Sequence, residues 1–315
     1  VCGRIWSTPT MVNMPELQPG NSRRPIGVFD SGVGGLSVLR QLLRHLPHED
    51  MVYLADSAWA PYGERSPEQI ETRCLQIAGY LQQQHRIKAL VVACNTATSQ
   101  AVQQLRNRWP QLPLVGVEPA IKPAVALSRT GHVGIMATRG TVQSAKFARL
   151  VQDWGGACRI HAQACDGLAL AIENALDGWP NPDGETVYSL CQRYTDALRS
   201  AAIGAGAMAQ PDGQTVHATG LGGIDVLVLG CTHYPFAGDV LQQIVGDAVQ
   251  LLEPGEPVAR QTRRLLLQHG LLSSPTPDAR TGELTLLATS SPRRLQRAAS
   301  QWLGISAAVT PINII

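Results

Sequence analysis

"KALVVACNTATSQAVQQLRNRW", residues 88–109, runs apolar from Ala89 to Cys94, turns polar at Asn95-Thr96, and then takes a helical pattern to Trp109. A short apolar run that feeds directly into a helix is half of a parallel βαβ unit. The same grammar extends in both directions. "PIGVFDS" (25–31) reads as a strand ending in Asp30-Ser31, followed by "GVGG" and an amphipathic helix to about Leu46. "DMVYLAD" (50–56) is a strand closing on Asp56, and "LPLVGVE" (112–118) is a fourth strand. Between them "SPEQIETRCLQIAGYLQQQH" (66–85) opens with Ser66 as N-cap, Pro67 at the first helical position and acids in the first turn. That is a well-specified helix start.

A second series repeats the pattern. "HVGIMAT" (132–138) and "CRIHAQAC" (158–165) read as strands separated by one helix, "GTVQSAKFARLVQDW". "GLALAIENAL" and about 185–203 follow as helices, and "IDVLVLGC" (224–231) and "AVQLLEP" (248–254) as strands. "EPVARQTRRLLLQH", "ELTLLATS" and "PRRLQRAASQWLG" close the chain as helix, strand and helix. Strands alternating with helices imply parallel sheets covered on both faces. The expected fold is therefore α/β: two pseudo-symmetric lobes, each a mainly parallel sheet flanked by helices, with the active site in the cleft between them. Glu118-Pro119 and Glu253-Pro254 each close a strand, which suggests where the chain crosses. The expected division is 25–117 plus 253–315 for the first lobe and 118–252 for the second. Residues 1–24, rich in Pro, Asn, Ser and Gln, read as a disordered extension without the apolar core of a signal peptide. The Gly/Ala-rich stretch 204–223 reads as a flexible surface excursion.

The 315 residues are 44% hydrophobic and 16% charged, with a net charge of +2. No sustained basic patch points to nucleic acid or a membrane surface, and no apolar run approaches the ~18 residues of a membrane span. Seven scattered cysteines without a CxxC pair argue against a disulfide framework and for a reducing, cytoplasmic setting.

In parallel sheets functional residues gather beyond the carboxyl ends of strands. The polar terminators here are Asp30-Ser31, Asp56, Cys94-Asn95-Thr96, Cys165 and Cys231-Thr232-His233. A cysteine between a strand and a helix N-terminus sits where backbone N–H groups favour a thiolate relative to the free value of about 8.5. Nucleophilic catalysis needs one such cysteine, whereas two on opposing lobes suit a different task. One takes a proton from one face of a carbon while the other delivers a proton to the opposite face. Asp30, Asp56, His233 and Glu173 are acidic or imidazole neighbours able to move or tune those protons. Helix capping for the aspartates, a structural role for His233 and a solvated face for Glu173 are the bland alternatives. Gly32, Gly34 and Gly35 would let backbone amides approach a small carboxylate. Zinc at Cys231 and His233 lacks supporting ligand spacing.

These motifs carry a resemblance. "FDSGVGGLSV" (29–38), "YLADSAWAPYGERS" (53–66), "VVACNTAT" (91–98), "VEPAIKPA" (117–124), "GIMATRGTVQS" (134–144) and "VLGCTHYP" (228–235) together are similar to bacterial glutamate racemases, over roughly residues 25–315. The resemblance implies interconversion of L- and D-glutamate without a cofactor or metal, supplying D-glutamate for peptidoglycan. It implies Cys94 and Cys231 as the two thiols, the first serving the D-isomer and the second the L-isomer. Asp30, Asp56, Glu173 and His233 then support them. Substrate would be held at Asp30, Ser31, Pro61, Tyr62, Gly63, Cys94, Asn95, Thr96, Thr138, Thr141, Cys231, Thr232 and His233. A homodimer is implied, and part of the family is activated by a cell-wall precursor. The sequence departs from the family around Glu173, where "ACDGLALAIE" lacks the usual prolines, and "LLEPGEP" stands where an Asp-Ser-Gly turn is common. Relatives acting on aspartate, hydantoins or maleate, and a non-catalytic amino-acid-binding protein, are the competing readings.

Overall fold

Every strand of the first series is apolar on both faces, and the computed structural model buries them accordingly. It describes residues 21–156, 158–204, 221–273 and 281–314. The first series comprises β1 (Ile26–Asp30), α1 (Leu36–His45), β2 (Met51–Ala55), α2 (Pro67–His85), β3 (Ala89–Val92), α3 (Asn95–Arg108), β4 (Leu114–Gly116) and α4 (Ile121–Leu127). The second comprises β5 (His132–Ala137), α5 (Arg139–Val142), α6 (Ala145–Trp154), β6 (Arg159–Ala164), α7 (Leu168–Asp177), α8 (Val187–Gly204), β7 (Val226–Gly230), α9 (Gly238–Val245) and β8 (Gln250–Leu252). The chain closes with α10 (Gly255–Gln268), β9 (Leu284–Ala288), α11 (Pro292–Leu303) and β10 (Val309–Pro311).

All pairings are parallel. One sheet has the order β10-β9-β2-β1-β3-β4 and the other β6-β5-β7-β8. The first four strands of each series thus share one order, second-first-third-fourth, and β9 and β10 extend only the first sheet. In both, the chain reverses direction between the first and third strands, which opens a crevice at their carboxyl ends. Asp30 and Cys94 stand at the first crevice. Thr138 and Cys231 stand at the second.

Local chemistry accounts for the elements. Ser66 and Gln69 form a full capping box at the start of α2, with Pro67 in the first turn. The single helix expected over "GTVQSAKFARLVQDW" is two: Ser144 turns extended and accepts from Phe147 N–H at 3.1 Å, so cap chemistry ends α5 and starts α6. Helices α4 and α9 and strand β10 add to the expected elements, each being too short or too weakly periodic to stand out in the sequence. Residues 1–20 of the expected extension, and 205–220 of the expected excursion, lie outside the described residues. The extension stops short of residue 24: Asn21–Arg23 form a 3-10 turn, and the Ser22 carbonyl accepts from the buried Lys88, which pairs with Glu49.

The two sheets are tied by side-chain packing and by a hydrogen bond to the backbone. Leu295, Ala298 and Ala299 of α11 bury in the core around β1 and β2, and so does Leu176 from the end of α7. Phe236 stacks on Trp302 with ring centroids 3.6 Å apart. Ser37 Oγ donates to the Thr232 carbonyl at 2.8 Å. Among the described residues no helix is long and apolar enough to cross a membrane.

Candidate active site

Cys94 caps α3 with its sulfur, which lies 3.4 Å from the Ala97 N–H and 3.6 Å from Ser31 Oγ. Burial drives its thiol far above the ordinary 9.0, and the charge of Asp30 adds to the rise, against the pull of the Ala97 N–H and Ser31. The expected helix-terminus stabilisation of a thiolate is present but outweighed, because one N–H cannot replace a hydration shell. Cys231 adds a smaller push in the same direction. Asp30 is fully buried, and Ser31 Oγ stands between it and Cys94. Its Oδ2 accepts from Gly35 N–H at 2.5 Å and its Oδ1 from Ser31 Oγ at 3.4 Å. Burial still raises its carboxyl above the ordinary 3.8, although His233 and the Gly35 N–H oppose this.

Around the second thiol the polar groups form a line. Cys231 Sγ is 3.7 Å from His233 Nδ1, and His233 Nε2 is 2.8 Å from Glu173 Oε1. Glu173 also accepts from Val33 N–H at 3.3 Å and from Arg294 at 3.2 Å. Burial works against a charged His233, but its bonds to Cys231 and Glu173 win and hold it protonated well above 6.5. Burial likewise opposes a charged Glu173, and His233, Val33 and Arg294 reverse that, holding it below 4.5.

The glycine run has a use different from the one expected. A Cβ at Gly34 would overlap the His233 ring, one at Gly32 would overlap the Glu173 carboxylate, and one at Gly35 would crowd Asp30 and Tyr53. The Val33 and Gly35 amides are taken by the protein's own carboxylates. The loop is bare so that second-sheet side chains can reach into the first crevice.

Other expected residues divide. Asn95 is 5% exposed, and both its amide nitrogen and its amide oxygen lack a protein partner. Leaving such atoms unmet typically costs about 1–3 kcal/mol each, and Asn95 lies next to Cys94 at the start of α3. Thr96 Oγ1 lies 3.2 Å from Thr138 Oγ1, which lies 2.9 Å from Thr141 Oγ1, a hydroxyl chain across the cleft beside Cys94. Thr232 is buried and joined to Ser37 through its carbonyl. Asp56 is placed differently from its expected acid–base role. Arg73 grips it at 2.7 and 2.9 Å, and Tyr62 and Thr289 donate to it at 2.7 and 2.9 Å. Its carboxylate is a structural anchor, and Tyr62 spends its hydroxyl on it. Pro61 sits in a cis peptide beside Tyr62, and Gly63 has open space around its Cα. Among the described residues no three His, Cys, Asp or Glu side chains are grouped to hold a metal ion.

The chain matches the family described as Asp/Glu/Hydantoin racemase over residues 26–262. It belongs to that family. It is 45% identical over 258 residues to a glutamate racemase of Ectopseudomonas mendocina (strain ymp), covering 82% of this chain and 88% of that one. Glutamate racemase isoform RacE1 of Bacillus anthracis superposes with a TM-score of 0.76 at 28% identity, covering 93% of this chain and 98% of that one. Escherichia coli glutamate racemase, crystallised with L-glutamate and the activator UDP-MurNAc-Ala, superposes with a TM-score of 0.70 at 30% identity, covering 93% and 99%.

Set in this racemase family, the His233–Glu173 pair has a testable pH signature. Glu173 is held low, so its contribution to stability is present above 4.5 and lost as pH falls through its folded value. His233 is held high, so its contribution is full below 6.5 and lost as pH rises through its folded value. The melting-temperature gap between the protein and Glu173→Gln should be widest between those limits and close on both sides. A gap independent of pH would mean that the pair is not charged.

Arg294, Arg73 and Ser37 stand outside the set of residues expected at the site. A signal existed for Arg294: the first turn of α11 carries Arg293 and Arg294, and cations are disfavoured at a helix N-terminus unless an external acid holds them.

Proposed function

We propose that this protein interconverts L- and D-glutamate by a two-thiol proton transfer at Cα, providing D-glutamate for peptidoglycan. For the L-isomer, Cys231 as thiolate takes the Cα proton while the C–H electron pair stays on carbon. Cys94 as thiol then delivers its proton to the opposite face, and the roles reverse for the D-isomer. The observation that carries this reading is the equivalent placement of the two buried thiols after the third strand of each sheet. Burial keeps a proton on Cys94, as a donor requires, and His233 stands ready to exchange one with Cys231. Asp30 plays the matching part beside Cys94, and Asn95 offers a donor and an acceptor to the substrate's charged ends. Ser31, Thr96, Thr138, Thr141, Thr232 and the backbone around 61–63 complete the enclosure. The lobes are 25–117 with 253–315, and 118–252. A homodimer in the cytoplasm completes the reading. The ligand of the E. coli relative makes a cell-wall precursor the candidate activator.

Glutamate incubated with the protein in heavy water tests the function. Deuterium should enter Cα as the optical rotation decays, and aspartate and hydantoins offered in parallel should not react. Exchange on aspartate but not glutamate would move the protein to another branch of the family, and no exchange at all would make it a binder.

A further inference from the structure

We propose that Arg294 is a positioning residue for the Cys231 half of the reaction, acting through Glu173 and His233 from the opposite side of the cleft. The inference rests on the two-thiol reading and adds a residue that its motifs do not contain.

Arg294 stands in the first turn of α11, whose apolar face is buried against the first sheet. Its target, α7, packs Leu168, Ala171 and Ile172 into the core of the second sheet. The guanidinium reaches across with two separate bonds, Nε to Asp177 Oδ2 at 2.6 Å and a terminal nitrogen to Glu173 Oε2 at 3.2 Å. The Arg294, Glu173 and Asp177 side chains are 17%, 12% and 11% exposed, so water screens these contacts poorly. Glu173 is then held at both oxygens: Oε1 faces His233 Nε2 and Val33 N–H, and Oε2 faces Arg294. A carboxylate fixed at both ends presents one orientation to the imidazole, and the imidazole presents Nδ1 to Cys231 Sγ. Among the described residues, the hydrogen bonds of Arg294 run to Glu173 and Asp177 and not to the groups that touch Cys94. A guanidinium suits this task because its planar fork spans two carboxylates, which a lysine ammonium does not do with fixed geometry.

Arg297 supplies the internal control. It donates to Asp177 Oδ1 at 2.7 Å and to the Leu176 carbonyl at 3.0 Å. It therefore joins the same two helices, while its recorded bonds do not include Glu173. If holding the lobes together is what matters, both arginines should count. If orienting Glu173 is what matters, only Arg294 should.

Racemisation rates alone cannot assign Arg294 to one thiol. The equilibrium constant between enantiomers is unity, so kcat/KM must fall equally in both directions for any variant. A half-reaction separates them. With enantiopure 3-chloroglutamate one thiolate takes the Cα proton, the C–Cl bond breaks and chloride leaves with its electrons. The resulting enamine tautomerises to an imine, and water hydrolyses it to 2-oxoglutarate and ammonium. In a Cys94→Ser background only Cys231 can act, on the L-configured analogue. In a Cys231→Ser background only Cys94 can act, on the D-configured one.

Adding Arg294→Gln to Cys94→Ser should slow chloride release from the L-analogue by about 10- to 100-fold, by analogy with outer-shell groups that orient metal-bound histidines. Adding it to Cys231→Ser should leave release from the D-analogue within about twofold. Arg294→Lys should recover only part of the loss, and Arg297→Gln should leave both half-reactions near their parents. Equal losses in the two backgrounds, or an Arg297→Gln effect as large as that of Arg294→Gln, would assign Arg294 to lobe closure and overturn the proposal. So would no loss in the Cys94→Ser background. If Cys94→Ser and Cys231→Ser release no chloride at all, the two-thiol reading has failed. The assignment of Arg294 to the Cys231 half falls with it, whereas the outcomes above overturn the Arg294 proposal alone and leave the two-thiol reading standing.

Discussion

Serine at position 94 or at position 231 is expected to cut glutamate racemisation by about 10³-fold or more, while each single variant retains a half-reaction of opposite stereochemistry. A hydroxyl is far less acidic than a thiol and serves neither as a ready base nor as a matched acid, and a positioned acid or base is worth about 10²–10⁴-fold. Both thiols are buried, at about 5% exposure, so bulk water cannot stand in for the lost group. The retained activity is the more telling result. Elimination from 3-chloroglutamate needs one base, and under the two-thiol proposal the two variants should prefer opposite enantiomers, each remaining sulfur serving one face of Cα. A one-base enzyme behaves otherwise: one variant loses racemisation and elimination together and the other stays near the parent rate. Racemisation by either serine variant at close to the parent rate would rule out the two-thiol mechanism.

The second large effect is on stability. Arg73→Leu should destabilise the protein by about 3–5 kcal/mol, because it leaves the fully buried Asp56 without its cation. At a few degrees per kcal/mol for a chain of this size, the melting temperature should fall by roughly 10 °C. The variant also loses the bond from Arg73 to the Ile314 carbonyl at 2.8 Å, which ties the end of the chain to α2. Replacing both partners, Arg73→Leu with Asp56→Leu, should recover much of the loss, since the penalty lies in the uncompensated charge. A single variant that melts within about 2 °C of the parent would show that Asp56 finds another partner. In the double variant Tyr62 loses the acceptor of its hydroxyl, so KM for glutamate should rise even where stability returns.

The periodicity of the chain was enough for the α/β class and the order of most elements, because parallel strands buried on both faces must be written as unbroken apolar runs. Cap chemistry at Ser66-Pro67 was legible for the same reason, being local. The thiols at 94 and 231 could be read because each ends such a run with a residue that apolar packing does not ask for. Strand order, by contrast, is a matter of which run lies beside which. Only the folded sheets place Cys94 and Cys231 at matching crevices.

Two placements depend on tertiary packing and not on local sequence. Asp30 and Asp56 look alike as strand terminators, yet Asp30 faces the cleft, whereas Asp56 turns toward Arg73, 17 residues away. The glycines at 32 and 34 read as a cradle for a ligand but make room for Glu173 and His233, which lie 140 residues or more from them in the chain. The protonation of Cys94 follows the same rule. A helix N-terminus is visible in sequence, but the desolvation that outweighs it comes from the whole surrounding core. What the sequence determines by itself here is what neighbours in the chain can do for one another. Charge, orientation and the sharing of one site by two sheets depend on groups far apart in the chain, so those are decided only when the lobes meet.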